Sequence, residues 1–197
     1  MTEVNSRTQG ALPYLESADA VIAKSLGWIK AQCVDSKGVS NEKLDQHQMA
    51  SFDLAWCAAE STAARFALEY AAKVAAGRTG DGVCLEEQMA LVFCAESMLS
   101  IHNRLRARPR SFGLNDADLA ALTTPSLSRF CQTQLDAGNL EALGKAVIAL
   151  NGGNGAYMLS DDATMMQDSF RKLATNVVMP LAEEIHREDR IIPPEIL

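Results

Sequence analysis

Glutamate and histidine side chains in this sequence raise the question of a metal site. Glu183 and His186 form a Glu-x-x-His motif, and a di-metal centre in a helical bundle needs a second such motif on another helix. Neither His47 nor His102 has a glutamate three residues earlier. The spacing therefore favours a charged, solvent-facing helix surface, and we assign no metal-binding residue.

Glu96 is the second carboxylate of interest. Helical spacing places it on the same face as Met89 and Leu99, so the pattern predicts that it is buried. A buried carboxylate has to be paired, protonated or functional. We expect a hydrogen bond or ion pair with His47 or Arg65 of a neighbouring helix, and a catalytic role is the alternative.

Four arginines in residues 104–110 form the one basic cluster of the sequence. Guanidinium groups suit a phosphate or an acidic partner, but cations at the C-terminal end of a helix are also stabilised by the helix dipole. The run 151–155, NGGNG, lacks the spacing of phosphate-binding loops and is predicted to be a connector. A GxSxG motif is absent and the histidines are dispersed, so we assign no catalytic residue.

The overall charge and the cysteines bear on partners and compartment. A net charge of -7 with a pI near 5.0 disfavours nucleic acid and anionic membrane surfaces as partners. The first residues lack the pattern of a signal peptide, and no apolar run is long enough to span a bilayer. The five cysteines are odd in number and form no CxxC motif. They are predicted to be small, buried apolar side chains of a cytoplasmic protein.

The elements that must position these residues are predicted to be helices. Hydrophobic residues make up 48% of the chain and aromatic residues only 6%, and Ala, Leu and Met dominate over β-branched residues. A first helix is predicted over about 13–34. A second runs from a cap at Ser40 or Asn41 to Gly77, with a contact stripe that repeats every three or four residues. That stripe comprises Leu44, Gln48, Phe52, Ala55, Ala59, Ala63, Phe66, Tyr70 and Val74.

A third predicted helix, about 84–107, carries apolar residues on two opposite faces. Leu85, Met89, Val92 and Leu99 form one face, and Leu91, Cys94, Met98, Ile101 and Leu105 form the other. A helix that is apolar on both sides is expected between two others. Trp28 and Trp56 are expected in the core, with a subunit interface as the alternative. The fold class is therefore all-α, a helical bundle with long antiparallel helices.

The last forty residues resemble a known family. The segments Phe170–Ala174, Val177–Asp189 and Ile192–Pro193 are similar to the first helix of acyl-CoA dehydrogenases, which ends in a Val-x-Pro-x-Ala pattern before a charged turn and a proline. The His-Arg-x-Asp variant resembles methylsuccinyl-CoA dehydrogenase-like members with a helical N-terminal extension. Pro180 inside the helix predicts a kink near residue 176.

The resemblance implies a flavoenzyme that oxidises an acyl-CoA to the α,β-enoyl-CoA. FAD would lie between a middle β-domain and a C-terminal four-helix domain, with a glutamate as base. The sequence stops inside the second helix of the first family domain, so none of the family's flavin-binding, CoA-binding or base positions is mapped onto it. No cofactor is assigned to this chain, and FAD and acyl-CoA are implied only for a full-length parent.

Three segments follow from this reading. Residues 1–150 are expected to form the helical extension domain, residues 151–159 a Gly- and Asn-rich hinge, and residues 160–197 the truncated start of the dehydrogenase α-domain. Such an extension packs against the rest of the dehydrogenase or against another copy, and this chain alone is not expected to be catalytic. The alternative is a stand-alone helical interaction or adaptor module derived from such an extension.

Overall fold

The computed structural model describes residues 7–36, 38–78, 84–151, 158–194 and 196. The chain divides into two compact units, residues 1–156 and 157–197. The elements of the first unit are α1 (Leu12–Cys33), β1 (Val34–Asp35), β2 (Gly38–Val39), α2 (Asn41–Gln46), α3 (Gln48–Ala76), α4 (Leu85–Ala107), α5 (Asp116–Ala120), α6 (Pro125–Gln134) and α7 (Ala137–Ala149). The second unit holds α8 (Asp161–Leu173) and α9 (Met179–Arg187).

Three long helices build the first unit. The helix α3 packs along α4 over most of its length and also against α1. Side-chain contacts show that α3 and α4 are antiparallel, because Asp53 bonds to Arg108 whereas Glu60 bonds to Ser100. The predicted all-α bundle with long antiparallel helices is confirmed. The sole strands among the described residues are β1 and β2, a short antiparallel hairpin that pairs Val34 with Val39.

The second predicted helix is interrupted near its start. The side chain of Ser40 accepts a hydrogen bond from the backbone N–H of Lys43 and caps α2, as expected. At His47 the backbone leaves helical geometry, with φ -110° and ψ 15°, and α3 begins at Gln48. One continuous helix from the Ser40 cap to Gly77 was therefore a wrong expectation. A periodic pattern continues across a single non-helical residue, so it cannot reveal such a break.

The core lies on a different face of α3 from the predicted stripe. The buried residues of α3 are Ala50, Asp53, Leu54, Cys57, Ser61, Ala64, Leu68, Ala71 and Val74. Of the predicted stripe only Val74 is buried, whereas the side chains of Phe52 and Phe66 are 66% and 64% exposed. The stripe prediction was wrong because α3 has apolar residues on two sides, and the side that carries Leu54 and Leu68 is the buried one.

The helix α4 contacts α1, α3, α5, α6 and α7 and is central, as predicted. Its second predicted face is fully buried, from Leu91 to Leu105. On the first face Val92 is buried, but Met89 and Leu99 remain 43% and 42% exposed. The prediction that both faces are covered was therefore wrong within the described part of the chain.

Local signals position the connections around α4. A 3-10 turn, Pro109–Phe112, follows α4 and places Phe112 in the core. Gly113 closes this turn at φ +66°, a left-handed backbone geometry that favours glycine. The side chain of Asn115 caps α5 in a reciprocal capping box with Asp118. These caps fix the path from the central helix to the smaller helices α5 and α6.

The second unit is a helix with one irregular segment. The hydroxyl of Ser160 caps α8, and a π-helical segment, Ala174–Val178, separates α8 from α9. Pro180 follows in the first turn of α9. Proline has no N–H to donate and crowds the preceding turn, and the π-helical segment lies over that turn. The kink near residue 176 stays a prediction. Among its described residues this unit buries no side chain.

Two further expectations concern connections and membranes. Of the predicted hinge, residues 151–159, the part from 152 to 157 lies outside the described residues. Asn151, which follows α7, has a left-handed backbone with φ +48°. Among the described residues, no helix has both the length and the apolar character needed to cross a membrane.

Candidate functional site

The polar residues selected from the sequence do not form one site. Glu96 is exposed on α4 and makes no hydrogen bond or ion pair among the described residues. Arg65 instead pairs with Asp19 of α1 at 2.5 Å. The expectation that Glu96 is buried and paired with His47 or Arg65 was wrong. Its physical cause is that α4 turns its other apolar face toward the core, so Glu96 points to solvent.

Asp53 of α3 is the buried carboxylate that the sequence reading missed. Arg104 donates from Nη1 to Asp53 Oδ1 at 3.4 Å, and Arg108 donates to Oδ2. Asp53 is only 7% exposed, and two cations beside it offset the cost of burying its charge. The signal was available, because Asp53 shares a helix face with Ala50, Cys57 and Ala64. Half of the arginine cluster therefore has a structural role.

Trp56 lies at the surface rather than in the core. Its side chain is 48% exposed, and the Arg104 guanidinium carbon lies 5.7 Å from the centre of its ring. The Phe52 ring stacks against the Trp56 ring, with ring centres 6.3 Å apart. A cation above an indole ring is favourable, so this contact fixes Trp56 while leaving much of the ring accessible. The expectation that Trp56 is buried in the core was wrong, and its place at a subunit interface stays a prediction.

His47 lies in a polar cleft of about 590 Å³ between the start of α3 and the turn after α4. Its ring meets Trp28 edge to face, with ring centres 5.8 Å apart. Arg108, Arg110 and Asp45 also line the cleft. Arg108 is already bonded to Asp53, and the Asp45 carboxylate opposes any bound anion. The cleft thus combines charges of both signs around an aromatic wall.

An apolar groove of about 440 Å³ lies between α1, the hairpin and α3. It is lined by Ile22, Leu26, Ile29, Cys33, Val34, Val39, Leu44, Leu54, Ala55 and Ala58, with Lys30 and Ser51 as its polar members. Leu26 is 58% exposed at its edge. Such a groove suits an apolar side chain.

A larger apolar surface, which we call the aromatic face, spans α3 and α4. It consists of Met49, Phe52, Trp56, Phe66 and Tyr70 of α3 with Met89, Phe93 and Leu99 of α4. All but Tyr70 are among the exposed large apolar side chains. Exposed apolar side chains of this size make the aromatic face a candidate interaction surface.

Burial affects the chemistry of the cysteine side chains. All five are free and buried, and burial is the first cause that raises the pKa of Cys57 and of Cys94 to about 12. Burial also raises the pKa of Cys84 and of Cys131. Cys57, Cys84, Cys94 and Cys131 therefore stay protonated at neutral pH, and the protonated thiol is a poor nucleophile.

The remaining titratable groups are dispersed. In the described ranges no three His, Cys, Asp or Glu side chains come together in a way that could hold a metal ion. Glu183 of the Glu-x-x-His motif pairs with Arg187 one turn along α9 at 2.7 Å, and both side chains are exposed. Desolvation and the nearby Arg106 lower the pKa of His102.

Comparison with known proteins adds no family to this picture. No protein-family model matches the sequence, and no curated protein is significantly similar to it. The residues themselves, and the surfaces that they leave uncovered, are therefore the basis for a functional assignment.

Proposed function

We propose that this chain is the N-terminal helical part of an acyl-CoA dehydrogenase-like flavoenzyme, with a packing and oligomerisation role and no complete active site of its own. The parent enzyme would oxidise an acyl-CoA to the α,β-enoyl-CoA with FAD as the hydride acceptor. The proposed compartment is the cytoplasm, which the five buried, free thiols support.

The observation that carries this proposal is the uncovered helix of the second unit. Helices α8 and α9 hold Met166, Phe170 and Leu173, which are 62%, 65% and 43% exposed. An amphipathic helix of this length gains most of its stability from packing its apolar side. The residues from Phe170 to Pro193 that resemble the first dehydrogenase helix thus belong to an element that needs a further domain to cover it.

The resemblance also extends to the turn that follows α9. In the dehydrogenase family the helix ends in the proline pattern and is followed by a charged turn. Here Arg190 pairs with Glu184 and Glu188, at 2.7 Å and 2.5 Å, after a left-handed residue at Asp189. This ion-paired turn corresponds to the charged turn of the family and supports the proposal.

A second candidate is a stand-alone helical adaptor. The aromatic face of the first unit favours it, because that face can bind a partner without any flavoenzyme. The adaptor needs no FAD and no acyl-CoA. Its partner would be a second copy of this chain or another helical protein.

The experiment is to isolate the native gene product from its own cells with an antibody raised against residues 7–151. The proposal expects a protein much heavier than the 21.3 kDa of this chain, with a flavin absorbance spectrum and acyl-CoA-dependent reduction of that flavin. A product near 21.3 kDa without flavin would overturn the dehydrogenase proposal and select the adaptor.

A further inference from the structure

The apolar groove between α1, the hairpin and α3 is long and narrow. Ile22 and Cys33, its outermost members on α1, are about 16 Å apart along the helix. The volume of about 440 Å³ spread over that length leaves a mean cross-section of roughly 30 Å². Ile22, Cys33 and Leu54 are buried at its floor, whereas Leu26 and Val39 stand 58% and 65% exposed at its rim.

The width of the groove restricts what can lie in it. A helix with its side chains is about 10–12 Å across, so its cross-section is about three times that of the groove. A partner helix would therefore insert only single side chains and leave most of the length empty. An alkyl chain is about 4 Å wide at van der Waals contact, so it fits along the whole groove.

The lining of the groove disfavours an extended peptide. Such a peptide would bring backbone N–H and C=O groups, which cost free energy when they are buried without a hydrogen bond. The polar members of the described lining are Lys30 and Ser51, and the Ser51 hydroxyl oxygen is itself buried without a hydrogen-bond partner there. An alkyl chain carries no polar group and needs no such partner.

Lys30 places a positive charge at the edge of the groove. Its side chain is exposed and makes no hydrogen bond or ion pair among the described residues. The nearby Lys43 lies 3.9 Å from Asp35, so that cation already has a counter-charge. Among the described lining residues none is Asp or Glu. The edge of the groove therefore complements an anionic head group.

We infer that the apolar groove binds the alkyl chain of a free long-chain carboxylate, with the carboxylate group beside Lys30. Lys30 lies nearer the Cys33 end of the groove, so the alkyl chain extends from there toward Ile22 over about 12 Å. Asp19 accepts a hydrogen bond from Ser61, so α1 and α3 are antiparallel and the Ile22 end is also the Ala58 end. Volume, apolar lining and a single orienting charge are typical of small-ligand sites.

This inference goes beyond the proposed function and does not depend on it. The ligand is a free carboxylate that binds within the first unit, and neither FAD nor a dehydrogenase body is required. A failure to bind the carboxylate would leave the mass and flavin content of the native gene product to decide the proposed function separately.

The first test is equilibrium dialysis of the 197-residue chain against radiolabelled dodecanoate, at concentrations where this carboxylate is monomeric. We expect saturable binding of one dodecanoate per chain. Decanoate and octanoate are expected to bind more weakly, by about two- to fourfold for each methylene removed, because each methylene that enters the groove leaves water. Binding that does not saturate, or that is independent of chain length, would overturn the inference.

The second test fills the groove. Ala55 lines the α3 side and is exposed, so Ala55→Phe places a ring in the groove without entering the core, and it is expected to weaken dodecanoate binding at least tenfold. The matched control is Ala63→Phe, an exposed alanine of the same helix outside the described lining, which is expected to bind like the unchanged chain. Circular dichroism verifies that both variants keep their helical content. Equal affinities of the two variants would contradict the location.

The third test concerns the head group. Lys30→Gln is expected to weaken dodecanoate binding by about two- to fivefold, the range of an exposed ion pair. Lys73→Gln, a change of another exposed lysine of the first unit, is expected to have no effect. High salt is expected to remove the difference between the unchanged chain and Lys30→Gln. An affinity that Lys30→Gln leaves unchanged at low salt would overturn the placement of the carboxylate.

Two other occupants are distinguished by the same variants. Sedimentation with anionic phospholipid vesicles tests a membrane surface, and light scattering tests a second copy of the chain. Either kind of association, if it is lost in Ala55→Phe and occurs without binding of monomeric dodecanoate, would assign the groove to that occupant and overturn the inference.

Discussion

At the scale of single residues, the first unit depends on one close approach between a turn and a ring. Gly113 has φ +66°, and a Cβ atom added there would overlap the Trp28 indole. The same ring forms one wall of the cleft that holds His47. Glycine is thus required twice at this position, once for the backbone geometry and once for the space.

Gly113→Ala is expected to destabilise the first unit by about 3 kcal/mol. A left-handed alanine costs about 1–2 kcal/mol, and forcing the ring aside adds about 1–3 kcal/mol. Gly27→Ala is the matched control, because nothing lies within 4 Å of its added Cβ. That change, inside α1, is expected to stabilise by about 0.5–1 kcal/mol. Urea unfolding followed by circular dichroism measures both, and equal effects would contradict the Gly113 argument.

Asp53 shows what could be predicted of the polar groups and what could not. The arginine cluster was visible in the sequence, and its position at the end of α4 follows from the dipole argument. Its ion-pair partner lies about fifty positions away on α3, so only the packing of the two helices reveals it. Glu96 looked buried because it shares a face with leucine and methionine, although that face is uncovered within this chain.

At the scale of elements, periodicity predicted where helices lie better than which side they bury. The helix α1 begins and ends within a residue of its expected bounds. Of its apolar residues at helical spacing, Leu15, Ile22, Ile29 and Cys33 are buried, whereas Leu26 is 58% exposed. In α3 the predicted stripe carries Phe52 and Phe66, and the observed core face carries Leu54 and Leu68. Both sides are apolar at helical spacing, so periodicity alone cannot tell which of them is buried.

Two leucines of α4 lie on opposite faces of the helix, Leu105 on the core face and Leu99 on the exposed face. Leu105 is fully buried, whereas Leu99 is 42% exposed. Leu105→Ala is expected to cost about 2–5 kcal/mol through lost burial and the cavity left behind, and Leu99→Ala less than about 1 kcal/mol. Urea unfolding of dilute samples measures both. A larger loss for Leu99→Ala would assign the core to the other face of the helix.

At the scale of the whole molecule, the two units differ in how they are stabilised. The described core residues, from Ala11 to Cys131, all belong to the first unit. The second unit buries none of its described side chains. Its stability as a helix must therefore come from local terms, such as the Ser160 cap and the ion pair between Arg171 and Asp168, together with whatever covers its apolar side.

Residues 1–156 are expected to unfold cooperatively on their own at nearly the same temperature as the whole chain. A peptide of residues 157–197 is expected to be only partly helical in dilute solution, because a helix of this length without packing is marginal in water. Thermal melts and circular dichroism of the two pieces measure this. A drop of more than about 5 °C on removing residues 157–197 would show that the second unit contributes to the core, since about 1 kcal/mol shifts the melting temperature by ~2–4 °C at this size.

The five buried cysteines make the unmodified chain a reporter of its own local opening. They are distributed over the bundle, with Cys33 at the end of α1, Cys57 in α3, Cys84 and Cys94 at the start and middle of α4, and Cys131 in α6. A thiol reagent reacts with each only when its helix separates from its neighbours. The order in which they are alkylated would give the sequence of opening events, helix by helix, without any mutation or introduced label.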